Sequence, residues 1–350
     1  MSRLRAAFLL LGAQMANNNF KPFAAAAGAN VMAQADYEAL AALLTGFQSG
    51  TAQSAQLNKV WRQSSIMAAV LGQFIADLTG QDAIDDGTTA TLLANLKMAV
   101  QAQSAAVVGQ ARNLKMSVTT ASSTAMLNAD EIVVGTALGG QKYVLGAFSQ
   151  TINLATTGAG GMDTGSAPAS GYVAIYAIYN PTTGARALIA KDATSAVQPN
   201  VYGGANMPAG YIASALVSVW PTNASRQFVV GAQVDREISV ANNTVLSTST
   251  TQASLTSFSA AGAIPPNARA CRLDLTVGTS LASEGASLVV CGSSIEIGRA
   301  AVSATSPSNG ATTVVSTPYV SIVTPQTLYY RAAVSGGTLS ALVGVPAYTF

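Results

Sequence analysis

Residues 57–78 have the sequence Leu-Asn-Lys-Val-Trp-Arg-Gln-Ser-Ser-Ile-Met-Ala-Ala-Val-Leu-Gly-Gln-Phe-Ile-Ala-Asp-Leu. Apolar and small residues recur in this stretch in alternating steps of three and four: Leu57, Val60, Ser64, Met67, Leu71, Phe74 and Leu78. A 3-4 repeat that continues over three heptads is typical of the seam of a left-handed coiled coil. Because Gly80 follows immediately, we expect the helix to end there.

The next stretch repeats this spacing. Thr88 or Thr89 can cap a helix that begins there, and positions from Leu93 to Leu114 again step by three and four. Glutamines within such a repeat fix register and strand number at some cost in stability. We call the predicted coiled-coil contacts of both helices the seam: Leu57, Val60, Met67, Leu71, Phe74, Leu78, Leu93, Leu96, Val100, Gln103, Val107, Gln110 and Leu114. The same spacing also fits a helical bundle within one chain.

Two features precede these helices. Residues 34–47 place Tyr37, Leu40, Leu44 and Phe47 on one helical face, which predicts an earlier helix. Residues 1–14 combine two arginines with a short apolar run, which fits either a signal peptide or an N-terminal extension. We favour the extension because the apolar run is only eight residues long.

Beyond about residue 118, threonine, serine, valine and glycine dominate, and the apolar runs have the length of strands. Residues 172–179 and 186–190 flank a Pro- and Gly-containing turn and predict a β-hairpin. Residues 213–220 and 227–230 predict a second hairpin, and residues 241–262 predict either a domain boundary or an extended edge segment. Six short strands are expected after residue 269, at residues 270–277, 287–291, 294–297, 313–315, 319–323 and 328–334.

These patterns predict a segregated α+β protein, with a helical, coiled-coil N-terminal third followed by all-β modules of the sandwich or jelly-roll type. The expected divisions are an extension at residues 1–16, a helical attachment and trimerisation module at 17–117, a β-rich middle domain at 118–240 and a C-terminal β domain at 241–350.

The composition argues against most chemistry. The 350 residues include no histidine, so the commonest general base and metal ligand is missing. Cys271 and Cys291 alone cannot form a zinc site. One disulfide between them is the alternative if they lie on neighbouring strands, but we expect two buried, reduced thiols. A net charge of +2 without a basic cluster gives no sign of nucleic-acid binding, and no apolar run is long enough to span a membrane. No cofactor motif is present. With 49% hydrophobic but only 9% charged residues, burial in an assembly is the simpler interpretation.

Three features of the sequence could carry chemistry or binding. Asp235 and Glu237 would share a strand face, as the paired carboxylates of a glycan hydrolase require, but an ion-paired edge with Arg236 is the simpler interpretation. The glycines of residues 158–165 lack the lysine of a phosphate loop and predict a flexible loop. Candidate receptor contacts are the aromatic residues Tyr319, Tyr329, Tyr330 and Tyr348.

Several blocks in the N-terminal third resemble tail-fibre-type proteins of tailed bacteriophages and prophages. They cover roughly residues 17–100 and occur in order, at residues 18–24, 28–31, 37–40, 46–50, 54–59, 61–65, 80–82 and 85–87. Residues 203–211 and 217–220 also resemble β-rich modules of phage tails, over a shorter stretch.

The resemblance implies a homotrimeric component of the virion, not an enzyme, attached to other tail or baseplate proteins by its N-terminal part. Its C-terminal β domain would face a host-cell receptor, either glycan or protein. At 350 residues and without a repetitive shaft, the chain departs from a long fibre. It therefore fits a short fibre, a tail-tip protein or an adaptor, and the alternatives are a surface-glycan depolymerase and a purely structural baseplate connector.

Overall fold

The computed structural model describes residues 16–50, 53–102 and 106–350. The chain divides into two compact units, Met1–Ala105 and Ala106–Phe350. The predicted N-terminal extension, up to residue 15, lies outside the described residues. The first unit is helical, and the second unit consists of antiparallel strands.

The helical unit contains α1 (Gln34–Glu38), α2 (Ala42–Thr45), α3 (Ser54–Thr79) and α4 (Ala90–Ala102). The prediction of a long helix through residues 57–78 is confirmed by α3. Gly80 ends this helix in the left-handed conformation, with φ 66°, and its N–H donates to the Ala76 carbonyl at 3.0 Å. Glycine adopts this conformation without the steric cost of a Cβ atom.

The other two helix predictions are wrong in extent. Residues 34–47 form two short helices, none of whose residues is buried, so no core contact holds one continuous helix together. The third predicted helix should reach Leu114 but ends at Ala102, and Val107 and Gln110 lie in a loop. Gln103 lies outside the described residues. The helical part is therefore smaller than the predicted N-terminal third.

The β unit is built from seventeen strands within the described residues: β1 (Ala111–Arg112), β2 (Lys115–Val118), β3 (Thr124–Gly135), β4 (Lys142–Asn153), β5 (Tyr172–Tyr179), β6 (Arg186–Asp192), β7 (Ala213–Pro221), β8 (Gly231–Val234), β9 (Glu237–Thr248), β10 (Gln252–Ser259), β11 (Ala270–Thr279), β12 (Gly285–Cys291), β13 (Ala300–Thr305), β14 (Thr312–Ser316), β15 (Val320–Ser321), β16 (Thr327–Val334) and β17 (Leu339–Thr349). The chain as a whole is mainly β, with few helices.

These strands form two antiparallel sheets. The larger has the order β14-β11-β17-β9-β8-β2-β3-β7-β5-β6, with β1 and β4 paired to β3 and β15 paired to β11. The smaller has the order β10-β16-β12-β13. Antiparallel strands can follow one another through tight turns, which explains why no helix of the structure separates them.

The first predicted hairpin is confirmed: β5 pairs with β6, and Tyr179 faces Arg186 next to the turn. All but the last residue of β5 are buried, because β6 and β7 flank the strand and both faces are covered. The second predicted hairpin is wrong. After β7 the chain turns back and Phe228 forms isolated bridges with Thr222 and with Ser122, but residues 227–230 form no strand, and β8 pairs with β2 and β9.

The last hundred residues contain four of the predicted strands, as β11, β12, β14 and β16, and a short version of a fifth as β15. Residues 294–297 form a loop, and the strands β13 and β17 were not predicted. The strand β9 passes through residue 240, where the sequence predicts a domain boundary. One hydrophobic core extends through residues on both sides of that position.

Candidate functional site

The extended segment at the start of the helical unit packs along α3. The side-chain amide of Asn18 donates to the Ala69 carbonyl at 2.9 Å. A Cβ atom at Gly72 would lie 2.3 Å from Asn18 Oδ1, so only glycine allows this close approach. Residue 18 belongs to the first stretch that resembles tail-fibre-type proteins, and α3 contains two of the later stretches. The contact therefore joins parts of the sequence that share this resemblance.

Further hydrogen bonds hold the segment along the helix in the antiparallel sense. The Asn17 N–H donates to Asp82 Oδ1 at 2.6 Å, beyond the C-terminus of α3. The Phe23 N–H donates to Ser65 Oγ at 2.8 Å, and the ring of Phe23 packs edge-on against Trp61. Near the N-terminus of α3, Asn58 Nδ2 donates to the Asn30 carbonyl at 2.7 Å.

The seam residues Met67 and Leu71 lie on a different face of α3. Because an α-helix turns about 100° per residue, Met67 and Leu71 project roughly opposite to Ser65, Ala69 and Gly72, which contact the segment. Met67 is 60% exposed and Leu71 48%. The helical unit therefore covers one face of α3 with its own chain and leaves these two seam residues open to solvent.

The remaining seam residues within α3 and α4 divide into three groups. Leu57 and Val60 are half-buried, and Phe74, Leu78 and Leu96 pack beside a small cluster of buried residues: Ile75, Ala83 and Ala99. On α4, Leu93 and Val100 are more than half exposed.

Three seam residues beyond α4 do not belong to a helix: Val107, Gln110 and Leu114. Leu114 is 2% exposed in the core of the β unit, whereas Val107 is 66% exposed and Gln110 is exposed. The structure therefore corrects the seam at these three positions, because the chain has left the helix before it reaches them. The heptad spacing of residues 107–114 is coincidental.

Tyr348 does not present a surface to a receptor. It is fully buried, and its hydroxyl donates to the Val219 carbonyl at 2.7 Å. Burial raises the pKa of Tyr348 well above its ordinary value, because the charged phenolate would lose its water. The structure thus corrects the prediction that this tyrosine is a receptor contact.

The other three tyrosines reach the surface to different degrees. Tyr319 is 37% exposed, and burial together with the nearby Glu237 carboxylate raises its pKa. Tyr329 and Tyr330 are half-buried neighbours on β16, so they point to opposite faces of the smaller sheet. The ring of Tyr330 packs edge-on against Phe258. Among the described residues, no ring contact joins these three tyrosines to one another.

The two candidate carboxylates have separate partners. Asp235 lies in the turn between β8 and β9 with φ 52°, and its Oδ1 accepts a hydrogen bond from the Leu114 N–H at 3.2 Å. Glu237 lies near Tyr319 and contributes to raising the pKa of that tyrosine. The expected ion-paired edge is wrong, because Arg236 donates to the Gly109 carbonyl at 3.0 Å instead. Glu296 forms ion pairs with Arg299 and Arg331, and neither pair involves a candidate carboxylate.

The glycine-rich loop at residues 158–165 is more ordered than predicted. The Gly160 N–H donates to the Leu188 carbonyl at 2.7 Å, and the Asp163 N–H donates to that of Ala190 at 2.6 Å. The loop therefore lies along the open edge of β6, and Met162 is buried beneath it. In the sequence, the signal for this packing is one large apolar residue, Met162, among the glycines of the loop.

The cysteine prediction is confirmed: Cys271 and Cys291 are free and buried, and burial raises the pKa of Cys271 to about 12. The described residues contain no group of acidic and cysteine side chains placed to hold a metal ion. Among the same residues, no helix combines the length and apolar character that crossing a membrane requires.

Comparison with known proteins yields no family. No family model and no curated protein matches the chain. Among solved structures, a tryptic core variant of the Bacillus thuringiensis protein Cry1Da has 9% identity and a TM-score of 0.20, with coverage of 73% of this chain and 54% of that chain. The Bacillus thuringiensis delta-endotoxin Cry8Ea1 has 8% identity and a TM-score of 0.20, with coverage of 72% and 55%.

A third structure, the exo-β-1,3-galactanase of Phanerochaete chrysosporium, has 11% identity and a TM-score of 0.19, with coverage of 65% of this chain and 55% of that chain. The chain thus spans about half the length of the solved structures it matches. At such TM-scores the likeness carries no argument about fold or function.

Proposed function

We propose that the chain is a structural component of a tailed-phage virion, a homotrimeric tail fibre or tail-tip protein without enzymatic activity. Its helical unit attaches it to another tail or baseplate protein and joins three copies as a coiled coil. Its β unit, with strands arranged as a sandwich or jelly-roll-like module, contacts the host surface or another tail protein.

The observation that carries this proposal is the open apolar face of α3. Met67 and Leu71 continue a 3-4 repeat over a helix of 26 residues, and both are about half exposed or more. Helices in proteins obtain most of their stability from the packing of an apolar face against other elements. A second and a third copy of α3 would bury this face at the spacing that a coiled coil requires.

The attachment role is supported by the segment that packs on the opposite face. Two of the residues involved, Asn18 and Asp82, belong to blocks that resemble phage tail-fibre proteins, and Gly72 lies within the span of that resemblance. The structure brings these parts of the sequence together. Their contacts stiffen the unit without using Met67 and Leu71. The face opposite the segment is used by the single chain at Phe74 and Leu78, and its part at Met67 and Leu71 is the part we assign to assembly.

The experiment compares the native chain with Leu71→Asp by light scattering at micromolar concentration. We expect the native chain to be trimeric and Leu71→Asp to be monomeric, because three carboxylates would be forced into one desolvated seam. The matched control is Leu44→Asp, which places the same change at a leucine that is 92% exposed on α2.

The control variant should remain trimeric. A Leu71→Asp protein with the native mass would contradict the coiled-coil role of α3. An equal loss of mass in both variants would show that the effect does not belong to this face. Binding of the native protein to intact host cells would then separate a receptor role from that of a purely structural connector.

A further inference from the structure

The strands β9 and β14 of the larger sheet each have an edge that no other strand pairs with. The strand β9 pairs with β17 over most of its length, but β8 accompanies it only as far as Val240. Among the described residues, no backbone hydrogen bond reaches residues 241–248 from that side. The strand β14 pairs only with β11, and although β13 lies near it, no ladder joins the two.

Neither edge carries a charged residue or a proline against pairing with another chain, and the loop at residues 261–263 approaches β9 through a hydrogen bond from Asn243 Nδ2 to the Gly262 carbonyl at 2.6 Å. Natural proteins place charged residues, prolines or covering loops on exposed edges. Residues 238–268 contain no charged residue, and β14 has the sequence Thr-Thr-Val-Val-Ser. Val314 and Val315 are 61% and 39% exposed on that strand. Both edges can therefore accept an uncharged, extended strand.

The edge of β9 also offers room for apolar side chains. Where β8 ends, a cavity of about 370 Å³ opens beside β9, and it is bordered by Val229, Val230, Val240 and Ala263. A strand that is added to a sheet gains affinity from its main-chain hydrogen bonds and specificity from pockets for its side chains. Valines such as those of β14 match the apolar lining.

The strand directions make the two edges compatible. In the order β14-β11-β17-β9 every neighbour is antiparallel, so β14 and β9 of one chain run in opposite directions. Rotation about an axis along the strands preserves these directions. The strand β14 of one copy would therefore meet β9 of the next copy as an antiparallel neighbour, like every other pair in the sheet.

We propose that in the assembled protein β14 of one copy pairs with residues 241–248 of β9 in a second copy. The contact is head-to-tail, and three copies around one axis close it into a ring in which no β14 or β9 edge remains open. This inference rests on the proposed homotrimer and assigns the part of it that the β unit forms.

The test co-expresses two differently tagged chains, one with Val314→Cys and the other with Thr244→Cys, Val245→Cys or Leu246→Cys. Directly opposed residues of an antiparallel pair lie within disulfide reach, so one of the three partners should cross-link under mild oxidation. The native thiols do not compete, because both are buried. The matched control replaces Val314→Cys with Val323→Cys, which is at an exposed position outside both edges.

We expect a disulfide between the two differently tagged chains in one of the three mixtures, and no such disulfide in the control. A trimer of native mass without any mixed disulfide overturns the edge pairing but leaves the coiled coil intact. A monomer overturns the homotrimer itself. Efficient cross-linking of Val314→Cys chains to each other would also contradict the proposal, since it would place β14 against β14.

A second measurement does not depend on cysteine variants. Amide hydrogen exchange of the native assembly should be slow throughout residues 241–248, because both sides of the strand are then paired. Val314→Lys should restore fast exchange of the outward-facing amides of that strand, since a lysine blocks the edge. Fast exchange of these amides in the native trimer would overturn the proposal.

Discussion

The two units of the chain differ in how much of their apolar surface they bury by themselves. The helical unit has a buried cluster of only Ile75, Ala83 and Ala99, and it leaves Met67 and Leu71 exposed. The β unit has a continuous core that extends through both sheets. A single chain therefore covers the apolar surface of the β unit, whereas the helical unit leaves part of the apolar face of α3 uncovered, and our proposal assigns that face to partner copies.

The largest expected effect concerns the β unit, which buries its apolar core within one chain. Trp220 is fully buried, packs against Phe228, and donates its Nε1–H to the Val229 carbonyl at 3.1 Å. We expect Trp220→Ala to lower the free energy of unfolding of the β unit by about 3–5 kcal/mol, from lost packing and a cavity. Denaturant unfolding followed by circular dichroism of the strands measures it.

The control for this prediction is Trp61→Ala in the helical unit. Trp61 is 53% exposed, and its ring contact is with Phe23. The loss should be about 0.5–1.5 kcal/mol, the usual value of an aromatic pair. Equal losses for the two tryptophans would contradict the difference between the units.

A smaller effect is expected where the N-terminal segment crosses α3. Gly72→Ala would normally stabilise a helix by about 0.5–1 kcal/mol. Here the new Cβ atom would lie 2.3 Å from Asn18 Oδ1, so we expect a net loss of about 1–3 kcal/mol instead. Thermal unfolding of the helical signal measures the change.

The matched variant for Gly72→Ala combines it with Asn18→Ala. The double variant should be more stable than the sum of the two single changes predicts, because the clash is removed with the asparagine. Strict additivity would show that Asn18 does not lie against the helix at this position.

The smallest effect concerns Tyr348 and its buried hydroxyl. Tyr348→Phe removes the hydrogen bond to the Val219 carbonyl and should cost about 1–2 kcal/mol of unfolding free energy. Binding to host cells should not change, since this side chain does not reach the surface. A variant of native stability with weaker cell binding would contradict the buried position.

Sequence patterns predicted the elements whose periodicity and end signals agree. The helix α3 has a sustained 3-4 repeat and a glycine at its end, and β5 has a long apolar run beside a turn with proline and glycine. In both cases local preference and tertiary packing favour the same structure, which is the condition for a reliable prediction.

The remaining elements depend on contacts that no local pattern reveals. Leu114 fits the heptad of the preceding helix, yet it is buried among strands of the β unit. Tyr348 belongs to β17, whose neighbours β11 and β9 lie about 70 to 110 residues earlier, and its burial follows from that pairing. The edge strands were anticipated only at residues 241–262, where an extended edge segment was one of two interpretations.

The mass of the intact chain in solution tests the central claim most directly. At micromolar concentration, light scattering should give three times the chain mass of 35.3 kDa, because three copies of the open face of α3 bury one another. A mass of 35.3 kDa at that concentration would contradict the homotrimer and would show that Met67 and Leu71 remain exposed in the functional protein.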